Sequence, residues 1–135
     1  LDLPLFRGLP KELGVRICLV LQWEAHPIHL ADGEQLFEKD GLCGDAGYLL
    51  IKGELELQVP NHPVKQVKPP NIVGVMPQFQ PNLCWTANAF ARGATEVRKF
   101  SWLLLTRLLQ QRLFPDELAL FHQTIAENTP SHFVH

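Results

Sequence analysis

Few residues of this 135-residue chain stand at spacings that do chemistry. His26 and His29 are three apart in a segment of strand character. A strand sends odd-numbered neighbours to opposite faces, so the two do not share a metal ion. Cys18, Cys43 and Cys84 are odd in number and lack CxxC spacing, which argues against a disulfide framework or a cysteine zinc site and for reduced thiols in the cytoplasm. Asp45 and Glu54 could pass for a carboxylate pair, but one belongs to a turn and the other to the polar face of a strand. No nucleophile stands beside an orienting base. These residue types predict a protein that is not an enzyme and holds no metal.

The elements that would position any site are legible from apolar spacing. The run from Gly41 to Leu57, GLCGDAGYLLIKGELEL, is the centre of the chain. Gly41, Gly44 and Asp45 read as a turn cluster, with the aspartate closing the turn locally. Tyr48 to Ile51 reads as a short buried strand ended by Gly53. From Glu54 to Val59 the pattern alternates, with Leu55, Leu57 and Val59 predicted inside and Glu54 and Glu56 exposed.

Before that centre, Lys11 to Gln22 carries Leu13, Ile17, Val20 and Leu21 on one helical face, with Pro10 at the first helical position. Glu24 to Leu30 and Gln35 to Glu38 read as strands around the turn Ala31-Asp32-Gly33-Glu34, and Pro27 marks an edge or a bulge. After it come a hairpin at Pro60–Pro63, a strand over Val64–Val67, a break at Pro69-Pro70-Asn71 and a proline-bearing segment from Met76 to Cys84. Trp85–Ala91 and Thr95–Phe100 read as the last two strands, joined by Arg92-Gly93-Ala94. Ser101 caps a helix whose leucines, Leu103 to Leu105 and Leu108 to Leu109, are predicted core. Pro115 re-aims the chain into a last helix, Asp116 to Glu127, with a stripe of Leu118, Phe121 and Ile125.

Composition sets the outer bounds. With 46% hydrophobic and 19% charged residues and a net charge of −2, the chain suits a globular domain and not a nucleic-acid surface. No stretch approaches the roughly 20 apolar residues that span a bilayer. Several short strands between helices predict a mainly β domain with flanking helices, a β-roll over about 24–100, helices over about 101–127 and a tail over 128–135. The missing initiator methionine is read as an excised or processed piece.

The motif G-x-x-G-D followed by Y-L-L-I-K-G-E-L, together with the opening L-F-x-x-L-P, resembles the cyclic nucleotide-binding domain family, and most of all the sensor domains of bacterial Crp/Fnr-like, catabolite-activator-type regulators. The resemblance covers about Leu5 to Glu127. It implies a double-stranded β-helix, or jelly roll, and a ligand segment between two strands. In that segment a Gly-Glu opening binds the ribose hydroxyl and an Arg pairs with the cyclic phosphate in a charge-assisted fork.

Laid along this segment without a gap, Val73-Gly74 matches the opening, Phe79 the apolar anchor of the short helix and Ala91 to Val97 a following hairpin. Val75 stands for the Glu and Trp85 for the Arg, while Thr86 matches a position that supplies a hydroxyl. The candidate pocket is therefore Val73, Gly74, Val75, Met76, Trp85, Thr86 and Ala87. Pro77 and Pro81 disfavour a regular helix there. Arg92, seven residues beyond Trp85, is over 20 Å away at about 3.3 Å per residue.

The expectation is a regulatory or sensor module with a degenerate phosphate site, without a bound cofactor and with cyclic nucleotide disfavoured. The alternative is an effector-binding sensor domain of a transcription regulator or another multidomain signalling protein, using Thr86, backbone amides and the Trp85 ring. Expected partners are other domains of a larger protein or a second copy through the C-terminal helix. Neither nucleic acid nor membrane is expected against this chain.

Overall fold

Two long antiparallel strands, β3 (Ala46–Gln58) and β6 (Asn88–Ser101), form the centre of the computed structural model, which describes residues 2–79 and 84–129. Their register runs from Ala46 opposite Ser101 to Gln58 opposite Asn88. Each carries two short partners at its two ends. On β6, β1 (His26–Leu30) pairs near one end and β2 (Gln35–Phe37) near the other. On β3, β4 (Lys65–Val67) pairs opposite Leu55 to Leu57 and β5 (Asn71–Val73) opposite Tyr48 to Leu50. The result is the expected jelly roll, a six-stranded antiparallel sheet among the described residues, with β1 an edge strand that tolerates Pro27.

The two interruptions expected in these strands are bulges and not ends. Gly53 takes φ +86° inside β3, and the register slips across it, between Lys52 and Glu54, and once before it, between Leu50 and Lys52. A Cβ there would fall 2.5 Å from Thr95 Oγ1 and 2.6 Å from the Ala94 carbonyl oxygen, so only glycine lets the two strands close. Thr95 is buried, and its hydroxyl accepts from the Glu54 N–H at 3.4 Å and lies 3.0 Å from the Gly93 carbonyl. Arg92-Gly93-Ala94 therefore belongs to one continuous β6, and the expected hairpin from Ala91 to Val97 does not form. Val59 lies beyond the end of β3.

Three helices, α1 (Lys11–Glu24), α2 (Trp102–Arg112) and α3 (Pro115–Asn128), cover one side of the roll. Pro10 is the N-cap of α1 and not its first helical residue; its carbonyl takes the Gly14 N–H at 2.9 Å. Ser101 caps α2 as expected, accepting from the Leu104 N–H at 3.1 Å. Asp45 closes no local turn. Its carboxylate reaches across to bond the Ser101 hydroxyl and the Leu103 N–H, fastening the start of β3 to the start of α2.

Two cores share the central strand. Tyr48 and Leu50 enter the roll interior with Leu55, Leu57 and Val97, whereas Leu49 enters the helical core with Ile17, Phe100, Trp102, Leu105 and Phe121. The apolar run Tyr48-Leu49-Leu50 is thus alternation with both faces covered. Leu105 and Leu109 are fully buried, but Leu103 and Leu104 are exposed at 54% and 45%, so the leucine cluster is only half core. Phe121 and Ile125 are buried within the chain, Phe121 edge-on to Phe6 with ring centroids 5.9 Å apart. Asn128 donates to the Leu5 and Arg7 carbonyls at 3.0 and 2.7 Å, tying α3 to the amino-terminal turn Pro4–Phe6.

Candidate functional site

The segment at the end of β5 opens on Val73 and Gly74, the pair that the resemblance placed there. Val73 is buried in the roll core, and Gly74 turns the chain at φ +111°. A Cβ on Gly74 would meet the Ala46 carbonyl oxygen at 2.8 Å and the Gly47 Cα at 3.2 Å, so the close approach to β3 requires glycine. Val75 is half-buried, while Met76 is buried on the other side, in the helical core. Pro77–Phe79 forms one turn of 3₁₀ helix, closed by the Phe79 N–H to the Met76 carbonyl at 2.9 Å. Phe79 packs against the helical core as the apolar anchor. Pro81 lies outside the described residues, as does the tail from 130 onward.

Trp85 is the centre of the site. It precedes β6, which starts at Asn88, and its backbone pairs with the β2–β3 connection. The Trp85 N–H donates to the Gly41 carbonyl and the Trp85 carbonyl accepts from the Asp40 N–H, each at 2.8 Å. So held, the indole turns into the roll and lies flat on Phe37, with centroids 3.7 Å apart and planes 7° from parallel. Tyr48 completes the stack at 5.8 Å from the Trp85 ring, and burial pushes its phenol up from its ordinary pKa. Trp85 is 9% exposed.

What remains open beside the indole is a cavity of about 20 Å³ bounded by Phe37, Leu57, Val73, Val75, Thr86 and Ala87. That is room for a water molecule and far below the roughly 300–1,000 Å³ of a small-molecule site. Thr86 is its one hydroxyl-bearing wall. Gly74 and Val75 separate this cavity from a second, more open groove of about 180 Å³, which runs from β4 and β5 to Asn128 and Thr129 at the end of α3. Of the seven candidate residues, Val73, Gly74, Val75, Trp85, Thr86 and Ala87 thus converge, and Met76 reaches only the neighbouring groove.

Other chemistry is placed elsewhere. Arg92 forks onto Glu56 at 2.6 and 3.2 Å and lies over the Phe90 ring, so its guanidinium is committed away from Thr86. That pairing holds the Glu56 carboxyl below its ordinary pKa, through the hydrogen bonds from Arg92 first and Gln58 second. Glu56 is accordingly not the exposed residue that strand alternation predicts; its side chain is 15% exposed. Asp45, just before β3, and Glu54 within it stand nine residues apart, about 30 Å of extended chain, and form no pair. Among the described residues no three His, Cys, Asp or Glu side chains converge to hold a metal ion, and no helix is long and apolar enough to cross a membrane.

Sequence reasoning missed Phe37, Tyr48 and Gly41 as parts of the site. Phe37 and Tyr48 read as ordinary strand residues, and only the pairing of β2 and the β2–β3 connection with the stretch around Trp85 brings them to the indole. Gly41 carried a turn signal, but its carbonyl's partner lies 44 residues away.

The chain matches no protein-family model and no curated protein sequence. Its fold does match solved structures. The N-terminal domain of a transcriptional regulator from Streptomyces coelicolor aligns at TM-score 0.65 and 21% identity, over 92% of this chain and 85% of that one. The sensor domain of the transcriptional regulator DNR from Pseudomonas aeruginosa aligns at 0.66 and 20%, over 92% and 78%. The catabolite activator protein of Thermus thermophilus aligns at 0.61 and 22%, over 92% of this chain but 56% of its own length. The architecture is that of the cyclic nucleotide-binding jelly roll, and identity at this level speaks for the fold alone.

Proposed function

We propose that the chain is a non-catalytic regulatory module which keeps the fold of a cyclic nucleotide sensor and does not bind cyclic AMP or cyclic GMP tightly. One observation carries this reading: the indole of Trp85 is buried and stacked on Phe37 at the position where the resemblance calls for a phosphate-pairing arginine. A phosphate entering here would lose water and gain one threonine hydroxyl, which does not offset the cost of burying the charge. The module acts through other domains of a larger cytoplasmic protein. The similarity to domains of transcription regulators supports a regulator as its setting. Isothermal titration with cyclic AMP and cyclic GMP tests the reading. No heat is expected at about 10 μM ligand, and saturable binding in that range would overturn it.

A second reading keeps the sensor role with a different effector. It is favoured by the 180 Å³ groove, which shares Gly74 and Val75 with the closed cavity and ends on Asn128 and Thr129 of α3. A small uncharged effector there would touch both the ligand segment and the last helix. Thermal-shift screening of uncharged amides and heterocycles, compared between the wild type and Thr129→Val, distinguishes a bound effector from an empty groove.

A further inference from the structure

The surface of the helical layer carries a feature that neither reading uses. α1 and α2 lie antiparallel: the Ser101 N–H reaches Glu24 at one end, and Arg16 Nη2 donates to the Arg112 carbonyl at the other. Between them runs a groove of about 380 Å³ lined by Arg16, Leu19, Val20, Leu109, Arg112 and Leu113. Its apolar rim continues along α1 at helical spacing through Val15, Leu19 and Trp23, which are 51%, 62% and 75% exposed. Three large apolar side chains in one row on the outer face of α1 form a patch of the kind that marks an interaction surface.

Charge identifies the occupant. Among the described residues no carboxylate lines the groove. Arg16 is neutralised by Glu117 at 2.9 Å, whereas Arg112 makes no ion pair among the described residues. The carboxylates Glu12, Asp116 and Glu117 gather on the far side of Arg16, around a separate cleft. They would repel an anionic lipid surface, and a second copy of the chain would bring an identical unpaired arginine. We infer that the α1–α2 groove docks an amphipathic helix of a partner protein or partner domain, its apolar stripe on Leu19, Val20 and Trp23 and a carboxylate opposite Arg112. A two-helix groove offers a third helix the ridges and the concavity that helix-in-groove recognition uses.

Trp23 reports on this surface directly, because Trp85 and Trp102 are 9% and 1% exposed. The probe is a synthetic helix of about five turns with leucines at i, i+3, i+4 and i+7 flanked by glutamates, and a twin with lysines for glutamates. The glutamate peptide is expected to shift Trp23 emission to the blue and shield it from acrylamide. Leu19→Glu should abolish both effects while the circular dichroism spectrum stays unchanged. Arg112→Glu should weaken the glutamate peptide about tenfold and strengthen the lysine twin by a similar factor. Leu103→Glu, on the face of α2 opposite Arg112, should change nothing. The inference is overturned by no shielding at about 1 mM peptide, by equal binding of the twins, by shielding that rises with protein concentration alone, or by stronger shielding from phosphatidylserine vesicles than from the peptide. None of these outcomes bears on nucleotide binding.

Discussion

An indole where a guanidinium would stand changes volume, charge and shape together. Trp85 brings no cation to the position where the resemblance implies one, and it fills the space, since its ring stacks on Phe37 and leaves room for little more than a water. On the proposed reading, the two charge-assisted interactions that the resemblance implies are missing, and at about 1.5–3 kcal/mol each their loss would lower affinity by about 10² to 10⁴. Restoring them with Val75→Glu and Trp85→Arg should give cyclic nucleotide binding measurable by calorimetry, whereas Trp85→Ala should open the cavity without supplying affinity. Binding by Trp85→Ala alone would show that bulk, and not charge, closes the site. Trp85→Ala should also cost about 3–5 kcal/mol of stability in urea. A second residue, Glu24, carries a pH prediction. Its Oε2 is shut from solvent without a partner, and burial first, then the nearby Asp45, outweigh the Ser101 N–H and His26 to raise its pKa above 4.5. The ionised form therefore opposes folding above the raised folded-state value, and the penalty fades as pH falls through it towards the unfolded value. Glu24→Gln should raise the urea midpoint at pH 7, with the gain shrinking towards pH 4. A gain that ignores pH would mean that Oε2 has a partner.

Elements were legible where local spacing alone decides them, and were misread where a distant strand decides. α1, α2 and α3 follow from apolar periodicity and the Ser101 cap, and Leu55 and Leu57 are buried as alternation requires. Gly53 and Gly93 read as breaks because a lone sequence does not say whether a glycine ends a strand or bends it. Only the pairing of β3 with β6 settles that both are bends. Glu56 read as exposed because its partner, Arg92, sits 36 residues away. Trp85 was legible as the departure from the family pattern, but Phe37 beneath it was not, because nothing local links β2 to the stretch before β6. The two bends differ in kind. Gly53→Ala meets both a positive φ and Thr95 Oγ1 at 2.5 Å, whereas a Cβ at Gly93 meets nothing within 4 Å. Gly93→Ala should cost only the left-handed backbone penalty, about 1–2 kcal/mol, and Gly53→Ala clearly more. Equal costs in urea melts would mean that the bulge at Gly53 has room to relax. On the same strand, Leu57→Ala should cost about 2–5 kcal/mol, and Glu56→Ala should destabilise less but measurably, since it strips Arg92 of its partner.

The whole molecule has two cores but one frame. Trp102 belongs to the helical core and Trp85 to the roll core, and among the described residues no buried one belongs to both. Neither core stands without β3 and β6, however. Leu49 and Leu50 are neighbours in sequence and enter different cores, and on β6 Val97 packs in the roll while Phe100 packs under the helices. Asp45 and Ser101 then bolt the start of β3 to the start of α2. Melting the helical layer would bare Leu49 and Phe100 on strands that the roll still needs, so partial unfolding gains little chain entropy for the apolar surface it exposes. Unfolding should therefore be a single two-state transition. In a Trp23→Phe background, fluorescence follows Trp85 and Trp102 while circular dichroism at 222 nm follows the helices, and the urea curves should superimpose. Leu49→Ala and Leu50→Ala should each move both probes together, although each truncation empties a different core. A helical signal that falls before the tryptophan signal in Leu49→Ala would mean that the helical layer detaches as a unit of its own.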